Sequence, residues 1–202
     1  MTPMLIPGSP RALPTLGILE LSSVAKGLIV CDMMVKKARV DVLHARPVGC
    51  GKYLLLVTGP EADLEESVRE GCQVGEAFLM DWSLIPNLHP EVAAALQRKG
   101  GQPLPVDAVG ILESRSLSAL IRASDGAVKT AGVRILELTF DLDLGGKGYV
   151  TFTGPLPEVE AALDHAGTEL RQGQALVHQE ILARPHAVVG QLVQGGLERA
   201  CF

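Results

Sequence analysis

A stretch of 24 residues, Gly17 to Val40, occurs a second time 93 positions further on, from Gly110 to Val133. Gly17-Ile18-Leu19-Glu20 returns as Gly110-Ile111-Leu112-Glu113. Asp32, Val35, Lys36, Ala38 and Val40 return as Asp125, Val128, Lys129, Ala131 and Val133. Of the 24 aligned pairs 10 are identical, against about 2 expected by chance from ordinary residue frequencies. Two copies at so long a period mark a duplicated domain, since a solenoid needs several short units. A chain of 202 residues then divides into two units of about 90 residues, each large enough for only a modest core. Such units are expected to lean on each other or on neighbouring chains.

The order of local signals is the same in both halves. In the first, Thr15 to Leu21 reads as a buried strand, and Ser22 and Ser23 offer an N-cap. Val24, Leu28, Cys31, Val35 and Ala38 follow at helical spacing. Val40 to Ala45 and Tyr53 to Val57 read as a hairpin about the glycine-rich turn Pro47 to Gly51. After Gly59-Pro60 comes a helix with Glu61, Asp63, Glu65 and Glu66 at its start, where the helix dipole favours acids, and with Leu64, Val68 and Cys72 on its apolar stripe. Ala77 to Ile85 is a fourth strand, and Glu91 to Gln97 a short helix. The second half repeats this: a strand over Val106 to Glu113, then a helix with Leu117, Leu120, Ile121, Ser124, Val128 and Ala131 on one face. A strand from Arg134 to Phe140 alternates Leu136, Leu138 and Phe140 with Glu137, Thr139 and Asp141. Gly145-Gly146-Lys147-Gly148 turns the chain into Tyr149 to Phe152. A helix from about Pro157 carries Val159, Leu163 and Ala166. A strand over Ala175 to Ala183 and a helix near Ala187 to Val193 close the chain. Each unit is thus strand, helix, hairpin, helix, strand: an α+β layer with an antiparallel or mixed sheet and its helices on one face. The expected division is an arm over 1–14 (Pro3, Pro7 and Pro10 loosen it), a first domain over 15–98, a Gly/Pro-rich linker over 99–104 and a second domain over 105–202.

Composition excludes several classes. The net charge is −5, with no basic stripe and no series of stacking aromatics, so no nucleic-acid partner is expected. Apolar residues make up 47% and aromatics 3%, which points to an aliphatic core and to extra apolar surface used in assembly. No apolar run reaches the roughly 20 residues that span a bilayer, so no membrane partner is expected. Met1 to Pro14 lacks the pattern of an export signal. Cys31, Cys50, Cys72 and Cys201 form no CxxC pair and are expected to be reduced thiols. The five histidines, His44, His89, His165, His178 and His186, show no metal-ligand spacing. No triad or carboxylate pair is marked by a motif, so the chain is expected not to be an enzyme. Gly145-Gly146-Lys147-Gly148 is not a phosphate loop: Asp141 stands where that pattern needs Gly, Gly148 where it needs Ser or Thr, and a strand follows. Glu20 and Glu113 are expected to hydrogen-bond structurally, once in each unit. Asp141 and Asp143 beside the second glycine loop would lend it a negative field.

The opening Gly-Ile-Leu-Glu, the helices Asp32-Met33-Met34-Val35-Lys36 and Asp125-Gly126-Ala127-Val128-Lys129, the glycine hairpins and the closing Ile181-Leu182-Ala183-Arg184-Pro185-His186 together resemble the bacterial microcompartment (BMC) shell domain. The resemblance covers both halves, roughly Leu16 to Val189. The doubled domain looks like the tandem subtype, BMC-T, of propanediol-utilisation type. It implies a flat homotrimer whose six domains imitate a hexamer and tile with other shell proteins, in the wall of a cytoplasmic protein organelle that can enclose redox enzymes. It also implies a central pore, lined here by Val48, Gly49, Cys50 and Gly51 of the first loop and Leu144, Gly145 and Gly146 of the second. Lys36 and Lys129 would lie at the tile edge. Their plain physical reading is a cation at a helix C-terminus, worth a few tenths of a kcal/mol. Cys50 is the implied ligand of an iron–sulfur cluster, a [4Fe-4S] group shared by three copies on the threefold axis, since thiolates hold such clusters. The chain departs from that pattern in having Gly51-Lys52 directly after Cys50, where the relatives have Pro-Gly-Lys. A small-molecule regulator built on a duplicated α+β domain is the alternative.

Overall fold

A computed structural model describes residues 15–97, 106–140 and 144–195. The arm, the whole linker, Asp141, Asp143 and Cys201 lie outside the described residues. The first unit runs β1 (Thr15–Leu21), α1 (Val24–Lys37), β2 (Asp41–Val48), β3 (Lys52–Gly59), α2 (Glu61–Gly75), β4 (Leu79–Ile85) and α3 (Pro90–Gln97). The second runs β5 (Ala108–Ser114), α4 (Leu117–Thr130), β6 (Arg134–Thr139), β7 (Gly148–Gly154), α5 (Leu156–Gln172), β8 (Leu176–Leu182) and α6 (Ala187–Gly195). The two sheets have the same order, β2-β3-β1-β4 and β6-β7-β5-β8. Every pairing is antiparallel, which resolves the antiparallel-or-mixed alternative.

The duplication extends to local detail. Ser23 caps α1 by accepting from the Lys26 N–H, and Ser116 caps α4 by accepting from the Ala119 N–H, each satisfying an amide that the helix start leaves open. Both hairpins carry a bulge at the same place, between Val42 and His44 and between Ile135 and Glu137. In β6 the extra residue lets Ile135 and Leu136 both turn inward, so the simple alternation expected from Arg134 to Phe140 is broken there. The first hairpin differs from expectation in extent. β2 continues through Val48, and the turn shrinks to Gly49–Gly51.

Both faces of the first sheet are covered, and all seven residues of β1 are buried, hence its near-continuous apolar run. On one face Leu19, Leu21, Leu55 and Val57 pack with Val30 and Met34 of α1 and Leu64 and Val68 of α2. Gly17 has no room for a Cβ, which would lie 2.8 Å from Val68 and 2.9 Å from Val57. On the other face Leu16, Ile18, Leu54 and Leu56 join one cluster with Leu117, Leu120 and Ile121 of α4. The two units therefore share a core across the back of the first sheet.

One expected stripe is wrong. The buried residues of α1 are Gly27, Val30 and Met34, whereas Leu28 and Val35, expected inside, are 56% and 42% exposed. The helix has two apolar faces, and its spacing alone does not say which one meets its own sheet. The corresponding helix α4 buries both: Ile121 and Val128, the repeats of Leu28 and Val35, are 0% and 6% exposed.

Candidate functional site

The two glycine loops meet. Gly49, Cys50 and Gly51 form a tight 3-10 turn closed by the Lys52 N–H, which donates to the Gly49 carbonyl. Cys50 adopts a left-handed backbone, φ 59°, an uncommon conformation for a residue with a Cβ, and its side chain is exposed. Across from it, Gly145 and Gly146 have φ of 60° and 76°, which glycine tolerates without strain. Gly146 is pressed against the first loop: a Cβ there would stand 3.0 Å from the Gly49 carbonyl oxygen and 3.1 Å from Cys50 Cβ. Gly51 and Gly145 face open space. Val48 is buried under the turn as the last residue of β2, and Leu144 is half-buried, its carbonyl accepting from the Lys147 N–H.

A buried ion pair holds the loops together. Lys52 Nζ donates to Glu20 Oε1 at 2.7 Å, to the Arg115 carbonyl at 2.7 Å and to the Gly146 carbonyl at 2.8 Å. The Lys52 side chain is 12% exposed and that of Glu20 1%. The other carboxylate oxygen of Glu20 accepts from the Leu117 N–H at 2.8 Å, so a first-unit acid caps a second-unit helix. An acid at a helix N-terminus is favoured by the dipole and by the open amides. Asp81 adds to the same seam, accepting from the Ser116 hydroxyl, and Ser118 Oγ donates to Ser83 Oγ at 2.8 Å. Further along α4, Asp125 accepts from the His89 N–H at 2.7 Å.

The repeat-equivalent acid behaves differently. Glu113 meets Lys147 at 3.5 Å, with side chains 37% and 47% exposed. The shared structural role expected of Glu20 and Glu113 is thus seen in one of them. Lys52 and Asp81 were missed because each acts on the other half of the chain. The signal that could have found Lys52 was its repeat, Lys147, after a Gly in both loops.

The edge lysines also differ. Lys36 pairs with Asp32 on an exposed surface, with side chains 65% and 51% exposed. Lys129 pairs with Asp125, with side chains 39% and 6% exposed, and reaches the Pro86 carbonyl. Cys31 and Cys72 are half-buried against the first core. Burial pushes both thiols up, helped for Cys31 by the Asp32 carboxylate, so neither is poised as a thiolate. His44 is held down at about 4 by burial and by the Arg46 guanidinium. Arg46 Nε donates to its Nε2, and its ring stands edge-on to Phe140 of the second unit. His186 and its repeat His89 each accept from an N–H two residues on, those of Val188 and Glu91, a helix-start role. Among the described residues no group of three His, Cys, Asp or Glu side chains could hold a metal ion within one chain, and no helix is long and apolar enough to cross a membrane.

Comparison with known proteins matches the BMC domain model twice, over residues 15–88 and 108–185. The microcompartment shell protein PduT of Citrobacter freundii is 33% identical over 184 residues, covering 89% of this chain and 98% of its own. A crystal structure of a microcompartment protein from Desulfitobacterium hafniense superposes with a TM-score of 0.78 at 33% identity, over 89% of this chain and 99% of that one. A fused, permuted hexameric shell protein of the RMM microcompartment shares the fold, with a TM-score of 0.61 at 22% identity, over 82% of this chain and 85% of that one.

Proposed function

The chain belongs to the BMC-domain family, of which it carries two copies in tandem, and from that premise we propose that it is a structural shell protein of a bacterial microcompartment. Three chains close into a ring of six domains, with the glycine loops around a central pore through which small metabolites or electrons pass. The ring tiles beside other shell proteins and against encapsulated redox enzymes, with Lys36 and Lys129 at the tile edge. The observation that carries this is the in-chain seam: one domain's loop already packs on the next domain's loop, and a buried Lys52–Glu20 pair fixes their angle. A rigid angle between successive domains is what a closed ring requires. Native mass spectrometry together with negative-stain microscopy tests it. A mass of three chains and a flat ring with a central depression are expected; a monomer at micromolar concentration overturns it.

The pore residues also suit an iron–sulfur cluster. Cys50 is an exposed thiol at the tip of the loop, with open space beyond Gly51 and Gly145. One chain offers a single such donor, so three Cys50 side chains from three copies would hold a [4Fe-4S] group, which would supply one-electron transfer. Protein purified without oxygen should carry about one cluster's iron per trimer and visible absorbance, both lost in Cys50→Ser. Colour that survives this substitution excludes Cys50 as the ligand.

A further inference from the structure

Three large apolar side chains stand in water on one side of β4. Phe78 is 45% exposed, Met80 51% and Trp82 49%, and Trp82 is the single tryptophan of the chain. Asp81 and Ser83 reach across to Ser116 and Ser118 of α4. Strand alternation then turns Trp82 the other way, toward the side where Leu84 packs with the core of α1 and α2. The second unit therefore already occupies one face of β4 and leaves this patch bare. The fold does not require the patch either. β8 is the repeat of β4, with His178 opposite Glu113 as Asp81 is opposite Glu20. In the same register Phe78, Met80 and Trp82 become Ala175, Val177 and Gln179. In a chain with 3% aromatics, such a group on the surface of an edge strand marks a contact.

We propose that this patch is the docking site of the chain's own first 14 residues. The arm lies outside the family match, which begins at residue 15, just as the patch lies outside the repeat. The arm carries one apolar run, Met4-Leu5-Ile6, between Pro3 and Pro7, with Pro10 and Pro14 further on. Proline-rich segments favour an extended backbone with little left to order, and they dock on aromatic surfaces. Proline cannot donate to a ladder, so side chains make this contact rather than strand addition. Place and length both fit. The arm joins β1 at Thr15, and β1 is the neighbour of β4: Leu16 lies opposite Ile85, Leu19 opposite Trp82 and Leu21 opposite Leu79. Trp82 is thus about 10 Å along the sheet from the root of the arm, and Leu79 about 17 Å. The residues from Ile6 to Pro14 span up to about 30 Å when extended, enough to bring Met4-Leu5-Ile6 over Phe78, Met80 and Trp82 of the same chain. Charge agrees with this placement: the arm holds Arg11 and no acid, while Glu76 stands exposed two residues before Phe78. The docking concerns one chain and holds whether or not a ring forms.

The single tryptophan reports on the patch from one side and Arg11 on the arm from the other. In the full chain, Trp82 emission should be blue-shifted and poorly quenched by iodide. Removal of residues 2–13 should shift it to the red and at least double the quenching constant, with the circular dichroism unchanged. Leu5→Asp/Ile6→Asp, which keeps the length of the arm, should do the same. Trp82 equally accessible with and without the arm, or accessible only after truncation and not in Leu5→Asp/Ile6→Asp, overturns the proposal. Protection that is lost when the intact chain is diluted overturns docking within one chain and points to a second copy. The reciprocal variant, Met80→Ser/Trp82→Ser, changes only exposed positions and should keep the fold. Tryptic cleavage after Arg11 should then speed up at least about fivefold, since cleavage of an opening segment tracks its open population. Equal cleavage rates in the full chain and in Met80→Ser/Trp82→Ser would show that the arm does not rest on β4.

Discussion

At the scale of single residues, two groups dominate the join between the units. Lys52 satisfies a buried carboxylate and two carbonyls from the other half. Removing one member of a buried pair leaves the other charge unpaired, which costs about 3–5 kcal/mol. Lys52→Ala should therefore lower the unfolding free energy by about that amount in urea titrations. Lys147→Ala, removing an exposed pair, should cost under about 1 kcal/mol in the same titrations. His44 supplies a pH dependence. Its folded value of about 4 lies below the ordinary 6.5, so the unfolded chain binds the proton more readily. Stability from this group is complete above pH 6.5 and is lost as pH falls toward 4. The ring is partly open to water, which limits the loss to about 1–2 kcal/mol. The difference in unfolding free energy between wild type and His44→Gln, followed from pH 7 to pH 4, should shrink by that amount; a constant difference would show that His44 does not carry the pH dependence.

At the scale of elements, the loops are asymmetric despite the repeat. Gly146 has a positive φ and no space, whereas Gly51 has a positive φ and open surroundings. An alanine pays left-handed strain of about 1 kcal/mol at either place, but only at 146 does it also push on the neighbouring loop. Gly146→Ala should be more destabilising than Gly51→Ala by thermal melt, and only the former should change the reactivity of Cys50 toward a thiol reagent. Helix α1 shows the limit of periodicity. Its Leu28 and Val35 were legible as an apolar stripe, yet they are exposed while Val30 and Met34 are buried. Spacing identifies faces but not what lies opposite them. In α4, where both faces are covered, the expected Leu117, Leu120, Ile121, Ser124 and Val128 are buried, while Ala131, the residue that ends the helix, is half-buried.

At the scale of the molecule, the first sheet is the shared wall. Leu16, Ile18, Leu54 and Leu56 face the second unit rather than water. Residues 1–98 expressed alone would expose this face. They should aggregate or bind dye that marks apolar surface, and co-expression with residues 105–202 should return a soluble complex that co-purifies. Failure of the two fragments to associate would mean that the shared cluster adds little beyond the tether.

What the sequence by itself determined was the duplication, and with it two α+β units, their strand and helix order, and the two glycine loops flanked by lysines. Repeats and periodicity are local, so a single chain of letters records them fully. Only the tertiary structure decided that Glu20, Lys52 and Asp81 act on the opposite unit, while Glu113 and Lys147 remain at a free end. A repeated sequence makes two alike surfaces, but one tether brings only one pair of them together, and that difference exists only in three dimensions.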